Sequence, residues 1–287
     1  MARVLIAGCG DVGTRLGLAL AADGDEVRGL RRNPDALPSA IVGMRGDLAT
    51  GDGLRDAADG VQILVYAAAA DAFTDDAYRT TYVDGLARTL DALRAATAPL
   101  ERVLFTSSTA VYAQDDGSWV DETSPTEPRG FSGCRLLEGE ALALGAGVPA
   151  SVLRLAGIYG PGRTRLIDEV RSGSAVVPES AEPVWTNRIH ADDCAGALRH
   201  LCRLAPDQAH GVWIGVDHEP CERATVLDWL ADRLGVERPR RVRVDAPAGG
   251  GGLGTARRGG ANKRCRNAKL VASGYRFAFP TQDVGFL

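Results

Sequence analysis

The residues of this chain that most clearly announce chemistry are Gly8-Cys9-Gly10-Asp11-Val12-Gly13, which follow the apolar run Val4-Leu5-Ile6 and open a helical stretch from Thr14 to Leu20. Gly8 permits a tight turn, Gly10 lets the backbone approach a pyrophosphate, and Gly13 allows close helix packing. The helix entered through Asp11 and Val12 offers N–H groups and the positive end of its dipole to an anion. Strand, glycine turn and helix in that order predict a dinucleotide site. The second apolar run ends in Leu30-Arg31-Arg32, where a site selective for NAD would present an acidic residue to the ribose 2′-OH. Arg31, with Arg32 beside it, favours a 2′-phosphate, so NADP is preferred over NAD; the neighbouring Asp23, Asp25 and Glu26 leave the acidic reading open. Asp47-Leu48 ends the third run, where a carboxylate either accepts from the adenine amino group or caps a helix.

Short β-branched runs alternate with longer amphipathic stretches through the first half of the chain, the pattern of a parallel sheet covered by helices. The spacing predicts strands over Arg3–Ala7, Glu26–Leu30, Ala40–Arg45, Ile63–Ala67, Arg102–Ser107 and Ser151–Ala156. Helices are predicted over Val12–Ala22, Gly51–Ala58, Ala77–Ala95 and Arg135–Leu144. After about Gly162 the segments become short and mixed. The fold class is therefore α/β, a Rossmann-type doubly wound parallel sheet with a smaller C-terminal substrate lobe. Residues 1–160 form the nucleotide domain, joined by a strand at Val212–Val216, and 161–287 are mainly the lobe, with a helix at Ala224–Leu234. The glycine-rich stretch Ala246–Gly260 reads either as a surface linker or as a lid.

A length of 287 residues with 45% hydrophobic content is ample for one large core and an appended lobe. A net charge of -4 argues against nucleic acid as the main partner. The basic cluster Asn262-Lys263-Arg264-Cys265-Arg266, with Arg257 and Arg258, could bind a phosphate or merely offset the acidic surface. No apolar run approaches the length of a membrane span, and no leader pattern opens the chain, so a cytoplasmic location is expected. The six cysteines show neither paired nor metal-ligand spacing, which predicts reduced thiols and no structural metal.

The chain resembles the extended and atypical short-chain dehydrogenase/reductases, the NAD(P)-dependent epimerase/dehydratase family. The matching segments are Gly8–Gly13, Tyr66-Ala67-Ala68-Ala69, Phe105 to Tyr112, Asp121-Glu122-Thr123-Ser124-Pro125, Arg154 through Gly157-Ile158-Tyr159-Gly160-Pro161-Gly162-Arg163, and Ile189-His190-Ala191-Asp192-Asp193. The resemblance implies that Ala67 and Ala68 line the cofactor cleft and that Tyr159 belongs to a loop closing over the nicotinamide ribose. It implies that Ser108 is the hydroxyl that polarises the substrate oxygen, the alternative being that Ser107 and Ser108 only bond backbone. Arg163, Asn187, Arg188 and His190 lie in segments that line the substrate cleft in relatives, where cations and amides suit an anionic, sugar-like or nucleotide-linked substrate; the alternatives are plain surface charges for the arginines and a structural histidine beside a helix N-cap for His190.

The Tyr and Lys of the family are missing. Ser132 stands where the Tyr belongs and is expected beside the substrate, and Leu136 stands where the Lys belongs. A one-residue shift gives Phe131 and Arg135 instead. Tyr82 replaces an Asn that the family often carries ahead of a Val-x-Gly-Thr-like stretch. It either serves the cleft as an alternative acid or is a half-buried helix tyrosine. The resemblance thus implies an NAD(P)-dependent oxidoreductase or epimerase acting on a hydroxyl or keto group of a small polar molecule. The alternative is a non-catalytic NAD(P)H-binding redox sensor, which the missing pair supports. Relatives often dimerise through two long helices from each subunit, so the resemblance points to a homodimer with Ala77–Ala95 and Arg135–Leu144 as the candidate helices; the alternative is that the stripe Leu86, Leu90 and Leu93 packs on the sheet.

Overall fold

The computed structural model describes residues 1–179, 182–243 and 262–286; the glycine-rich stretch Ala246–Gly260 lies outside them. Seven parallel strands form the central sheet: β1 (Arg3–Ala7), β2 (Glu26–Arg31), β3 (Val42–Arg45), β4 (Ile63–Tyr66), β5 (Arg102–Ser108), β6 (Ala150–Leu155) and β7 (Gly211–Gly215). Their order across the sheet is β7-β6-β5-β4-β1-β2-β3. The inner strands are buried on both faces, which is why β4 and β6 are apolar almost without interruption. Helix α1 (Asp11–Ala22) buries Gly13, Leu16, Gly17 and Leu20, a spacing that keeps one face on the sheet.

The chain winds from β1 to β2 and β3 in one direction, then crosses back to set β4 on the other side of β1. The crevice outside the ends of β1 and β4 is the place where such a sheet receives ligands. Two apolar clusters cover the faces of the sheet, and a third, around Val170, Val177, Val226, Leu227 and Leu230, is the core of the second lobe.

The helix read at Ala77–Ala95 begins earlier, at Asp75. It is interrupted at Thr80–Asp84 by a π-helical turn before continuing over Gly85–Arg94. Tyr66 causes the disturbance. Its buried hydroxyl donates to the Thr81 carbonyl, and it can lie this close because Gly85 carries no Cβ, which would meet Tyr66 Oη at 2.7 Å.

The second half of the chain also supplies helix Ala191–Arg203, which the mixed pattern after Gly162 conceals. It lies along α1, where Arg199 and Arg203 pair with Asp23 and Arg203 also with Asp25. None of the helices in the described residues is long and apolar enough to cross a membrane.

Candidate active site

A cleft of about 640 Å³ opens at the switch between β1 and β4. Its floor is the turn Gly8–Gly13. Gly8 adopts φ +81° and donates to the Leu30 carbonyl at 3.1 Å. A Cβ on Gly8 would come within 2.4 Å of Ala68 Cα, whereas one on Gly10 would meet nothing nearer than the Gly8 carbonyl at 4.0 Å. The first glycine is therefore demanded by the neighbouring strand end, and the second leaves space above the α1 N-terminus. That combination fits a dinucleotide pyrophosphate. Gly8→Ala is expected to abolish the thermal shift given by dinucleotides, measured by differential scanning fluorimetry, because it adds a clash to a left-handed backbone that costs about 1–3 kcal/mol for a side-chain-bearing residue.

Arg31, Arg32, Asp47, Leu48, Ala67 and Ala68 all line this cleft. Arg31 Nη1 donates to the Cys9 carbonyl at 3.3 Å, and Arg32 makes a bidentate pair with Asp71, both bonds 2.8 Å, at the exposed mouth. Asp23, Asp25 and Glu26 stand at the far end of β2, engaged by Arg199, Arg203 and Arg3. They are removed from the ribose corner. Asp47 bonds the Ala49 N–H at 2.8 Å and also faces the cleft, so its turn-capping does not compete with a role toward ligand.

Ser107, Ser108, Tyr82, Leu136 and Ile158 also line the cleft. Ser107 donates to buried Glu140 at 2.6 Å. Ser108 Oγ accepts from the Ala110 N–H at 3.2 Å, which leaves its proton available to a ligand oxygen. The π turn carries Tyr82 to the same cleft, with its ring edge-on to Phe105 at 6.5 Å. Burial raises the Tyr82 phenol above its ordinary value, opposed by a hydrogen bond from the Ala70 backbone. Leu136 is buried on the cleft wall, so the position of the family's Lys holds an alkyl chain. Ser132 is half-buried one helical turn away, outside the lining of the cleft. The shifted alternative fails, because Arg135 is held by Asp75 at 2.7 Å and by Glu138 at 2.8 Å on the surface.

Tyr159, Asn187 and His190, like Ser132, are outside the lining of this cleft. Tyr159 does not face the cleft: in the short strand Gly157–Tyr159 alternate residues face opposite ways, and Ile158 takes the cleft side. The Tyr159 ring stacks on Phe286 at 4.9 Å in the lobe core, and its hydroxyl donates to the Thr281 carbonyl. Asn187 is spent on strand Lys263–Cys265, donating to the Lys263 carbonyl at 2.9 Å and accepting from the Cys265 N–H at 2.7 Å. His190 is buried, caps helix Ala191–Arg203 by accepting from the Asp192 N–H at 3.1 Å, and stacks on Phe279. Burial lowers its pKa.

Arg188 is also buried, bonded to Thr186. In the basic cluster, Arg264 lies between Trp119 and Trp185 at 5.0 and 4.9 Å, Arg266 covers Trp119, and Lys263 donates to the Tyr112 carbonyl; Arg257 and Arg258 lie outside the described residues. Arg163 does line the cleft, but at the pyrophosphate corner, bonded to Asp11.

A doubly wound sheet with a glycine turn at its switch point and a hydroxyl pair at the end of β5 defines the class of Rossmann-type short-chain dehydrogenase/reductases. More narrowly, the chain belongs to the NAD-dependent epimerase/dehydratase family, which residues 4–215 match. It is 30% identical over 250 residues to Protein YeeZ of Escherichia coli strain K12, covering 84% of this chain and 86% of that one. A solved structure of a candidate NAD-dependent epimerase/dehydratase from Methylobacillus flagellatus is 37% identical, with a TM-score of 0.77 and coverage of 99% and 96%. The UDP-glucuronic acid 4-epimerase of Bacillus cereus, solved in complex with NAD, shares the fold at 17% identity, with a TM-score of 0.79 and coverage of 99% and 96%.

Proposed function

We propose that the chain is an NADP-preferring oxidoreductase that reduces a keto group on a small polar, sugar-like or nucleotide-linked substrate in the cytoplasm. The observation that carries this reading is Tyr82, which the π turn sets in the same cleft as Ser108. When bound, the dinucleotide supplies the hydride, and the protein supplies placement and electrostatics. Ser108 donates to the substrate oxygen, and Tyr82 delivers the proton that the developing alkoxide takes up. With Leu136 where relatives carry a cation, burial outweighs the Ala70 backbone hydrogen bond and keeps the Tyr82 phenol above its ordinary value, so it is held protonated at neutral pH. An acid of that kind serves ketone reduction better than the base-initiated oxidation an epimerase also needs.

The substrate class follows the nucleotide-sugar enzyme of Bacillus cereus that shares the fold. The NADP preference follows Arg31 and Arg32 in the cleft, with the acids near the start of β2 occupied elsewhere. Thermal shifts with NADPH, NADP, NADH and NAD test the cofactor, since a ligand at about a hundred times its Kd adds roughly 2.7 kcal/mol. Arg31→Ala is expected to weaken NADPH by about tenfold to a hundredfold, the scale of one charge-assisted hydrogen bond, and to leave NADH nearly unchanged. Equal losses for the two would remove the 2′-phosphate assignment.

Leu136 also favours a second reading, a non-catalytic NADPH sensor. A sensor would bind the reduced and oxidised dinucleotides with unequal affinity and oxidise no NADPH across a panel of nucleotide-sugar and small keto substrates; steady oxidation with one of them excludes it.

A further inference from the structure

Asp11 is the first residue of α1, so its carboxylate sits where the helix N-terminus faces the cleft. A dinucleotide pyrophosphate on the α1 N–H groups would bring two negative charges alongside a third. The chain answers that conflict from two sides. Arg15, one turn along α1, bonds Asp11 Oδ1 at 2.8 Å and reaches across to Asp192 of helix Ala191–Arg203. Arg163 arrives from the second lobe, on the turn between strand Gly157–Tyr159 and helix Arg165–Arg171, and places Nε and Nη2 each 3.1 Å from Asp11 Oδ2. Burial alone would push the Asp11 carboxyl up, yet these two guanidinium groups bring it below the ordinary carboxylate value.

Arg163 is half-buried and lines the cleft together with Gly10 and Asp11. Its Nη1 has no protein partner among the described residues. Arg31 and Arg32 stand at the end of β2, so Arg163 is the cation that the second lobe brings to the pyrophosphate corner.

Resting on the dinucleotide reading of the cleft, we propose that Arg163 is a pyrophosphate ligand delivered by the second lobe, with Asp11 as its positioning residue. The carboxylate holds two nitrogens of the fork and leaves the third for a phosphate oxygen, a division of labour that a planar guanidinium permits and an ammonium does not. The cofactor site is then completed only by both lobes, and the bound pyrophosphate ties them together at the Asp11–Arg163 contact.

Isothermal titration of the full chain with NADPH tests this at low and high salt, using wild type, Arg163→Ala, Arg163→Lys and Arg165→Ala. Arg165 is the control: it is exposed, pairs loosely with Glu169 at 3.7 Å, and its replacement removes the same charge two residues further on, at the start of the helix. Arg163→Ala is expected to weaken NADPH about tenfold or more and to flatten the salt dependence of Kd, while Arg163→Lys recovers part of the loss and Arg165→Ala binds like wild type. The free protein is expected to melt close to wild type in all three variants, since the side chains replaced are partly or largely exposed. Unchanged affinity and salt dependence in Arg163→Ala overturn the proposal, as does an equal loss in Arg165→Ala. A wild-type chain that binds none of NADPH, NADP, NADH and NAD overturns the cofactor reading itself, a result distinct from loss of Arg163's part in it.

Discussion

Tyr82→Phe is expected to lower kcat for ketone reduction by about a hundredfold to ten-thousandfold, the range of a positioned general acid, while leaving the NADPH thermal shift intact. The substitution removes one oxygen and keeps the ring that packs on Phe105 and Tyr78. The Ala70 N–H loses its acceptor, but the π turn that brings Tyr82 to the cleft depends on Tyr66 and Thr81, which are untouched. Loss of turnover with binding retained is therefore the signature of chemistry and not of folding. The pH profile sharpens the test. With the phenol raised above its ordinary value and needed protonated, reduction by wild type stays level through neutral pH and falls only in base beyond the ordinary phenol range. A twofold change or less in kcat for Tyr82→Phe would remove Tyr82 from the reaction and move the weight to the sensor reading.

What was legible in the sequence follows from what local chemistry can encode. Parallel strands buried on both faces are largely apolar runs, so β1, β4, β5 and β6 stand out, and the glycine turn after β1 signals its own backbone. Register against the family put Ser108 and Tyr82 near the cleft they line, although the π turn that carries Tyr82 was not readable. It depends on a hydroxyl donated from β4, a contact no helical periodicity contains.

Two of the expected residues lie outside the cleft for a shared reason. Asn187 and His190 are polar residues whose partners lie elsewhere in the chain or in its turns: a strand near residue 263 satisfies the amide, and a helix start satisfies the imidazole. Tyr159, expected by resemblance in a loop over the nicotinamide ribose, ends a strand three residues long with its ring stacked on Phe286. Other residues carried a signal that went unread. Arg154 is a lone charge inside the apolar run of β6, and Glu140 falls on the buried face of its helix with Leu136 and Ala143. A fully buried charge requires a partner, and each of these two is the other's.

That pair gives the second large effect, in stability: Glu140→Ala is expected to destabilise the fold by about 3–5 kcal/mol, the cost of leaving a buried charge without its partner. Glu140 and Arg154 are 3% and 5% exposed. Arg154 donates Nε and Nη2 to the two carboxylate oxygens at 3.0 and 2.6 Å and Nη1 to the Tyr112 hydroxyl at 2.8 Å. Removing the carboxylate strands the guanidinium where neither water nor another acid reaches it, and Ser107 loses its acceptor as well. Urea unfolding of Glu140→Ala against the double variant Glu140→Met with Arg154→Leu separates charge from packing. If the stranded charge is the main cost, the double variant is more stable than the single one, since apolar replacement of a whole buried pair is often neutral.

A loss below about 1 kcal/mol in Glu140→Ala, within the range of an exposed ion pair, would mean that the helix and strand hold without this clamp. The consequence reaches the cleft, because Ser107 precedes Ser108 on β5 and Glu140 lies one turn beyond Leu136 on the opposing helix. The same carboxylate that closes the core ties the cleft wall that carries Ser108 to the wall that carries Leu136.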